Sequence, residues 1–161
     1  MRKKTIAVFV LVAVLLSCAA AYLILADREA VAAEDEIMLK IKLDLKEDIG
    51  LFVIDYYLDG KRGGCGSSNA DRSLIKKDDL IYFSFYRGDY ADIADTVDLD
   101  MSFRIVTEYC EPNYENIYPE ELVVPAGCIS ISADFGGTYH ITVTGDKLNG
   151  YHAELDDLQD N

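Results

Sequence analysis

Residues 97–105 read Val-Asp-Leu-Asp-Met-Ser-Phe-Arg-Ile and alternate without interruption between apolar and polar side chains. Successive side chains of a β-strand point to opposite faces, so this alternation predicts a strand with one face on a core and the other in water. The apolar face holds Val97, Leu99, Met101, Phe103 and Ile105. After the first 26 residues, no window shows the three- and four-residue apolar spacing of an amphipathic helix.

Further strands are predicted on both sides of this stretch, and turn signals such as Asp59-Gly60 separate them. The seven predicted strands cover residues 37–45, 51–58, 80–86, 97–105, 128–133, 138–144 and 151–155. A short edge strand at 122–124 is an addition that the sequence also allows. Seven short strands without helices predict an all-β fold, an antiparallel β-sandwich over residues 37–155.

Residues 135–144, Phe-Gly-Gly-Thr-Tyr-His-Ile-Thr-Val-Thr, resemble the penultimate strand of immunoglobulin-like domains of the polycystic-kidney-disease type in bacterial surface proteins. The resemblance implies an immunoglobulin-like sandwich in which Tyr139 forms a corner, with its hydroxyl bonded to nearby backbone. It also implies that Ile141 and Val143 point inward. It implies nothing about activity, because such folds carry many unrelated functions.

The N-terminus begins with Arg2, Lys3 and Lys4, and residues 5–26 then carry no charge. An uncharged run of 22 residues is long enough to span a membrane as a helix. The basic cluster before it predicts that the N-terminus stays in the cytoplasm. We therefore predict that residues 1–26 are a hydrophobic helix, a signal peptide or membrane anchor, followed by a linker at 27–36.

Two cleavable alternatives remain open beside the retained anchor. Val31-Ala32-Ala33 matches the small-residue pattern of a signal-peptidase site, and cleavage before Glu34 would give a secreted protein. Leu15-Leu16-Ser17-Cys18 resembles a bacterial lipobox, with lipidation at Cys18. All three interpretations place the domain outside the cytoplasm, either on the extracytoplasmic face of the membrane or in the medium.

The chain is strongly acidic, with 15 Lys and Arg against 29 Asp and Glu and a net charge of −14. Four of the basic and two of the acidic residues precede Glu34, so the rest carries 11 against 27, or −16. Residues 156–161 form an acidic tail. A domain of this charge repels phosphate backbones, which excludes nucleic acid as a partner.

Acidic side chains crowd the connection before residue 97, where Asp89, Asp92 and Asp95 follow one another closely. Carboxylate oxygens are the ligands that calcium prefers, so these three residues are a candidate calcium site. The alternative is a solvated acidic edge that keeps the protein soluble. His140 and His152 are a second metal candidate, provided that the last two strands pair with the rings as cross-strand neighbours.

Three cysteines follow the N-terminal segment, and an odd number in an exported chain leaves one thiol over. A Cys110–Cys128 disulfide is favoured because it closes the intervening loop, while Cys65–Cys110 and Cys65–Cys128 remain open. Cys65 lies in a predicted glycine-rich loop at 61–79. It is a candidate nucleophile with one of the two histidines as its base.

Two long predicted loops, 61–79 and 111–127, are suited to hold a ligand. Tyr114 and Tyr118 lie in the second loop and are predicted to line the ligand face, since aromatic rings present large apolar surfaces. The sequence thus predicts a non-enzymatic extracytoplasmic binding or structural module whose partner is a surface protein or glycan. A small secreted hydrolase or thiol enzyme and a calcium-stabilised spacer are the alternatives.

Overall fold

The computed structural model describes residues 30–110 and 118–156. The chain divides into two units, Met1–Ala30 and Val31–Asn161, and the strands named below belong to the second. The predicted hydrophobic helix, most of the predicted linker's first half and the tail after Asp156 lie outside the described residues. Within the two described ranges, no helix has the length and apolar character needed to cross a membrane.

The described residues form eight strands in two four-stranded sheets. The strands are β1 (Glu36–Leu45), β2 (Leu51–Leu58), β3 (Lys61–Ser67), β4 (Leu80–Tyr86), β5 (Thr96–Val106), β6 (Val123–Asp134), β7 (Thr138–Asp146) and β8 (Gly150–Leu155). The first sheet has the order β4-β1-β7-β8, and the second has the order β3-β2-β5-β6. The prediction of an all-β fold is confirmed.

The eighth strand is β3, which occupies the first part of the predicted 61–79 loop. It forms a hairpin with β2 through Asp59 and Gly60, whose φ angles of +49° and +75° are those of a tight hairpin turn. β3 contains three glycines and therefore has no alternating pattern that predicts a strand. β6 likewise joins the predicted edge strand at 122–124 to the predicted strand at 128–133.

The prediction of a wholly antiparallel sandwich is wrong at one pair, because β1 runs parallel to β7 with Ile41 opposite Ile141. β1 is antiparallel to β4 on its other side. The strands also divide differently from those of an immunoglobulin constant domain, in which the first, second, fourth and fifth strands share a sheet. Here the first, fourth, seventh and eighth strands do so.

The two sheets share one apolar core, built from the inward positions that alternation predicts. All five apolar residues of the 97–105 stretch are buried, as predicted. Phe52 of β2 contacts Phe103 of β5 and Phe83 of β4, with ring centroids 5.9 Å and 6.4 Å apart. The contact between Phe52 and Phe83 joins the two sheets directly, and so the inward faces pack against each other.

The turn between β6 and β7 forms the local corner that the resemblance implies. Tyr139 is buried, and its hydroxyl accepts a hydrogen bond of 2.7 Å from the backbone N–H of Asp134. Gly136 has a φ of +90°, and a Cβ on Gly137 would lie 2.8 Å from the Asp134 carbonyl oxygen and 2.9 Å from the Tyr139 ring. Both glycines are therefore required for the ring to reach the backbone.

A polar network ties the end of β1 to the β7–β8 hairpin. Asp146 is buried, and its carboxylate accepts hydrogen bonds from the backbone N–H groups of Leu148 and Asn149. Lys46 donates to the same carboxylate at 2.5 Å. The hydrogen bond from Lys46, together with those from Asn149, lowers the pKa of Asp146 well below its usual range.

We expect Tyr139→Phe to lower the free energy of unfolding by about 1 kcal/mol, because the partly buried Asp134 N–H loses its acceptor. Gly137→Ala is expected to cost more, since its Cβ would meet backbone at 2.8 Å. Urea denaturation measures both changes. Tyr82→Phe is the control, because the Tyr82 side chain is exposed; equal stability of all three variants would contradict the corner.

We expect Asp146→Asn to be less stable than wild type at pH 7, with the difference shrinking as the pH falls. A carboxylate with a lowered folded-state pKa stabilises the fold above its unfolded value of about 3.9 and loses that effect below it. Urea denaturation from pH 7 downward measures the difference, and the other carboxylates cancel because both proteins share them. A difference that stays constant through the acid range would refute the role of Asp146.

Candidate functional site

The outward face of the second sheet, called the open face below, collects polar and aromatic side chains from all four strands. Directly opposite residues share a face, so the strand register alone decides which side chains meet. Tyr57 lies opposite both Arg62 and Asp100, and Asp55 lies opposite Ser102. The open face consists of Val53, Asp55, Tyr57, Arg62, Asp100, Ser102, Arg104, Cys128 and Ser130.

An ion pair between Asp55 and Arg104 lies at the centre of the open face. The two residues are diagonal neighbours on β2 and β5, and Arg104 Nε donates to Asp55 Oδ2 at 2.7 Å. The side chains are 39% and 33% exposed, so the pair is accessible to a ligand. A guanidinium has five donors and a carboxylate two oxygens, so the pair retains hydrogen-bonding capacity beyond this contact.

Two clefts of about 600 Å³ and 390 Å³ lie on the open face, and Asp55 and Arg104 line both. The larger cleft has Tyr57, Arg62 and Ser102 among its lining residues. The smaller cleft has apolar walls from Leu51 and Val53 and is bordered by Tyr118. Their volumes fall in the range of small-molecule sites, and the ion pair is the feature that they share.

Tyr118 is a predicted ligand-binding residue that the structure places at the open face. It packs with Leu51, Val53 and Val106, and this burial raises the pKa of its hydroxyl. The segment that carries it is held where Thr107 N–H donates to the Leu122 carbonyl oxygen at 2.9 Å. Tyr114, the other predicted ligand residue, lies in 111–117, outside the described residues.

A β-bulge in β6 lies next to Arg104. Phe103 is opposite Gly127 but Arg104 is opposite Pro125, so Ala126 is the extra residue. Gly127 has a φ of +101°, a conformation that favours glycine. Bulges redirect side chains and increase the local twist of a sheet, and they are frequent beside functional sites.

Sequence reasoning missed Asp55, Tyr57 and Arg104 as site residues. The available signal was a charged residue inside each of two strands, Asp55 among the apolar residues of β2 and Arg104 at an outward position of β5. Neither residue stands in a motif. Their meeting depends on the β2–β5 register, which spans a sequence separation of 49 residues.

The three predicted calcium ligands lie around the connection from β4 to β5. Asp89 ends a short 3-10 turn at Arg87–Asp89, and Asp92 has a φ of +55°. Asp95 forms an ion pair of 2.6 Å with Arg87, whose guanidinium lies 4.4 Å from the centre of the Phe135 ring. In residues 30–110 and 118–156, no three or more His, Cys, Asp or Glu side chains group as a metal site, and calcium stays a prediction.

The two histidines are not cross-strand neighbours, so the condition on which a shared metal site depends is not met. His152 lies opposite Thr144, four residues along β7 from His140, a separation of about 13 Å at strand spacing. His152 instead lies 3.1 Å from Glu154 on its own strand. The β7–β8 turn, residues 147–149, sets this register, and the sequence left its length open.

The predicted Cys110–Cys128 disulfide is not formed, and all three described cysteines are free thiols. Cys128 lies opposite Ser102, with Sγ 3.1 Å from the serine oxygen. Cys110 instead packs against the cluster of Leu51, Val53 and Val106.

Cys65 faces the core rather than a solvent loop, since it lies opposite the buried Ile54. Burial, with a smaller contribution from the negative charge of Asp55, raises the pKa of the Cys65 thiol to about 11. His140 and His152 are on the other sheet and are exposed. The residues that the thiol-enzyme alternative needs together are therefore apart, and the thiol is protonated at neutral pH.

No protein-family model matches the chain, and no curated protein matches it. Among solved structures, the membrane-binding domain of pneumolysin has 11% identity and a TM-score of 0.39, over 78% of this chain and 99% of that domain. Non-hemolytic pneumolysin from Streptococcus pneumoniae strain ST306 has 12% identity and a TM-score of 0.39, over 78% of this chain. Listeriolysin O has 8% identity and a TM-score of 0.36, over 76% of this chain.

The chain spans 24% of the length of the pneumolysin chain and 23% of that of listeriolysin O. Likeness at this level carries no information about activity. The resemblance of residues 135–144 to domains of the polycystic-kidney-disease type stays an expectation.

We expect iodoacetamide at pH 8 to modify the exposed Cys128 well before Cys65. Only the thiolate reacts, and a thiol with a pKa of about 11 is almost wholly protonated at pH 8. The rate at Cys65 should rise about tenfold per pH unit above pH 8. Peptide mass spectrometry over a time course measures both rates, and faster reaction at Cys65 would show that its side chain does not face the core.

Proposed function

We propose that this chain is a non-enzymatic binding module on the extracytoplasmic side of a bacterial membrane, attached through residues 1–26. Its ligand is a glycan of the cell surface, bound on the open face. The observation that carries this proposal is the accessible Asp55–Arg104 ion pair, which lies between two clefts and has a tyrosine on each side, Tyr57 and Tyr118.

The ion pair contributes little to the stability of the fold, which supports a role in recognition. Exposed ion pairs contribute about 0–1 kcal/mol, and strand positions favour β-branched and aromatic side chains. Asp in particular is depleted from strands, yet Asp55 occupies the interior of β2. Two apolar or threonine side chains at these positions would stabilise the sheet more. Asp and Arg instead present hydrogen-bond acceptors and donors to a ligand.

Sugar chemistry fits the side chains on this face. Carboxylate and guanidinium groups hydrogen-bond adjacent hydroxyl groups, and the hydroxyls of Ser102 and Ser130 add further donors and acceptors. Tyr57 is 50% exposed and offers a ring surface against which the apolar side of a sugar packs. The net charge of −16 after residue 33 disfavours polyanionic ligands, so we propose a neutral glycan.

In this proposal the fold acts as immunoglobulin-like domains do, as a rigid two-sheet scaffold that presents one surface. Most side chains of the open face stand on β2 and β5, and β2 pairs along its whole length with residues 99–106 of β5. Sites on paired strands are held more firmly than sites on loops. The ligand therefore meets preformed clefts, with Tyr118 on the adjoining segment as the adjustable side.

We expect Asp55→Asn and Arg104→Gln each to weaken glycan binding at least about tenfold. Each substitution removes a charged hydrogen-bonding group, so a sugar hydroxyl that is buried in the complex loses its partner. Tyr57→Lys should also weaken it, since the ring surface is lost. A microarray of oligosaccharides from bacterial envelopes identifies the ligand, and titration calorimetry with the best oligosaccharide measures affinity.

Tyr82→Lys is the matched control, because Tyr82 is a similarly exposed tyrosine on the first sheet, at 46% exposure. It should bind like wild type. Urea denaturation of each variant separates lost binding from lost folding. Wild-type affinity in Asp55→Asn, Arg104→Gln and Tyr57→Lys, with all variants folded, would refute the open face as the glycan site.

A further inference from the structure

We propose that β4 is a self-association edge, and that two copies of the chain pair antiparallel along this strand to form a dimer with two-fold symmetry. The first sheets of the two copies would join into one eight-stranded sheet. This inference does not depend on the proposed ligand, because β4 belongs to the first sheet and the open face to the second.

β4 lacks the devices that protect a sheet edge against pairing. Its sequence, Leu-Ile-Tyr-Phe-Ser-Phe-Tyr, contains no charge, no proline and no glycine. A long edge strand of this composition is a template for pairing with another chain. Native proteins leave such edges uncovered where a partner strand adds to them.

The other three edge strands carry such devices. β3 begins with Lys61 and Arg62 and is rich in glycine. β6 contains Pro125 and the bulge at Ala126. β8 approaches β6, since a Cβ on Gly127 would lie 3.8 Å from His152 Nδ1, so these two edges shield each other. Protection of three edges and not the fourth indicates that the fourth has a partner.

The backbone of β4 has hydrogen-bonding groups directed at its free side. At one end Leu43 N–H donates to the Asp79 carbonyl at 2.9 Å, and at the other Arg87 N–H donates to the Asp35 carbonyl at 2.8 Å. Antiparallel bonding alternates, so the odd-numbered residues between them bond to β1. The N–H and C=O groups of Leu80, Tyr82, Ser84 and Tyr86 then face the other side, where no strand of the described residues pairs.

The side chains of these same residues add apolar surface. Leu80, Tyr82 and Tyr86 are 49%, 46% and 47% exposed on the outward face of the first sheet. Cross-strand aromatic and aliphatic pairs stabilise sheets by roughly 0.2–1 kcal/mol each. An added strand would therefore gain side-chain contacts as well as backbone hydrogen bonds.

The charges that flank β4 favour a second copy as the added strand. In the register that pairs all seven residues, Leu80 lies opposite Tyr86 of the second copy and Phe83 lies on the two-fold axis. Just beyond the strand ends, where backbone hydrogen bonds to Asp35 and Leu43 hold Arg87 and Asp79 in register, Arg87 then lies opposite Asp79 of the second copy. This complementary pair occurs twice because the interface is symmetric.

Neighbouring registers lose this complementarity. A shift of two residues one way places Arg87 opposite Ile81 of the second copy, and a shift the other way places Asp79 opposite Phe85 of the second copy. Opposite charges stabilise a strand pair when they lie directly opposite each other, and these registers do not pair them. Full overlap and charge complementarity thus select the same register, and two strongly acidic domains approach through their uncharged strands.

Sedimentation of the full chain over a range of concentrations, in one detergent throughout, tests the proposal. We expect a monomer–dimer equilibrium in wild type and at least about tenfold weaker association in Tyr82→Lys, since lysine on an edge strand opposes pairing. Tyr57→Lys is the matched control and should associate like wild type. Amide hydrogen exchange at Leu80, Tyr82, Ser84 and Tyr86 should slow as concentration rises, which distinguishes β4 pairing from association through residues 1–29.

The register has its own test in charge reversal. Asp79→Lys should weaken the dimer more than Asp79→Asn does, because only the lysine places two positive charges opposite each other. Urea denaturation checks that each variant folds. A monomeric wild type, a Tyr82→Lys variant that dimerises like wild type, or exchange at β4 that does not respond to concentration would overturn the proposal.

Discussion

The parallel pairing of β1 with β7 is the contact on which the rest of the structure depends. β1 lies between β4 and β7, and without it β4 has no partner in its sheet and the β7–β8 hairpin has no core to cover. The Lys46–Asp146 ion pair and the hydrogen bond from Lys147 N–H to Glu47 each join residues 100 positions apart. Contacts of this range close most of the chain into a loop. The chain therefore loses conformational entropy before these contacts stabilise the sheet.

The two faces of the second sheet have different environments, and the side chains of β5 illustrate both. Its inward side chains are buried apolar residues, while Arg104 on the other side forms an ion pair with Asp55 and lines two clefts. The core face rests on apolar packing, which any residues of suitable volume satisfy. The outward face rests on two charged groups in one geometry, which sheet stability does not require. This difference is why the open face, and not the core, is the surface on which function is proposed.

Local sequence pattern predicts well those strands that have one face on the core and the other face in water. The 97–105 stretch alternates because its two faces have different environments, and the structure buries its five apolar residues. Tyr139 was identified from a short motif, because its corner involves backbone only five residues away. β3 escaped prediction because a strand of glycines between lysine, arginine and cysteine has no alternating signal. The relative position of the two histidines was not predicted for a related reason, because the length of one turn sets the register of every residue after it.

Sequence by itself determined that the chain after its apolar N-terminus is all-β and strongly acidic, and which side chains of each alternating strand face the core. It did so because burial and the two-residue period act within a single strand. Tertiary structure alone decided that β1 runs parallel to β7, that Asp55 meets Arg104, that Cys65 faces inward and that Cys110 and Cys128 are not bonded to each other. These relations depend on which strands become neighbours and in what register. Strand order and register are set by the packing of residues distant in the chain, and no local pattern encodes them.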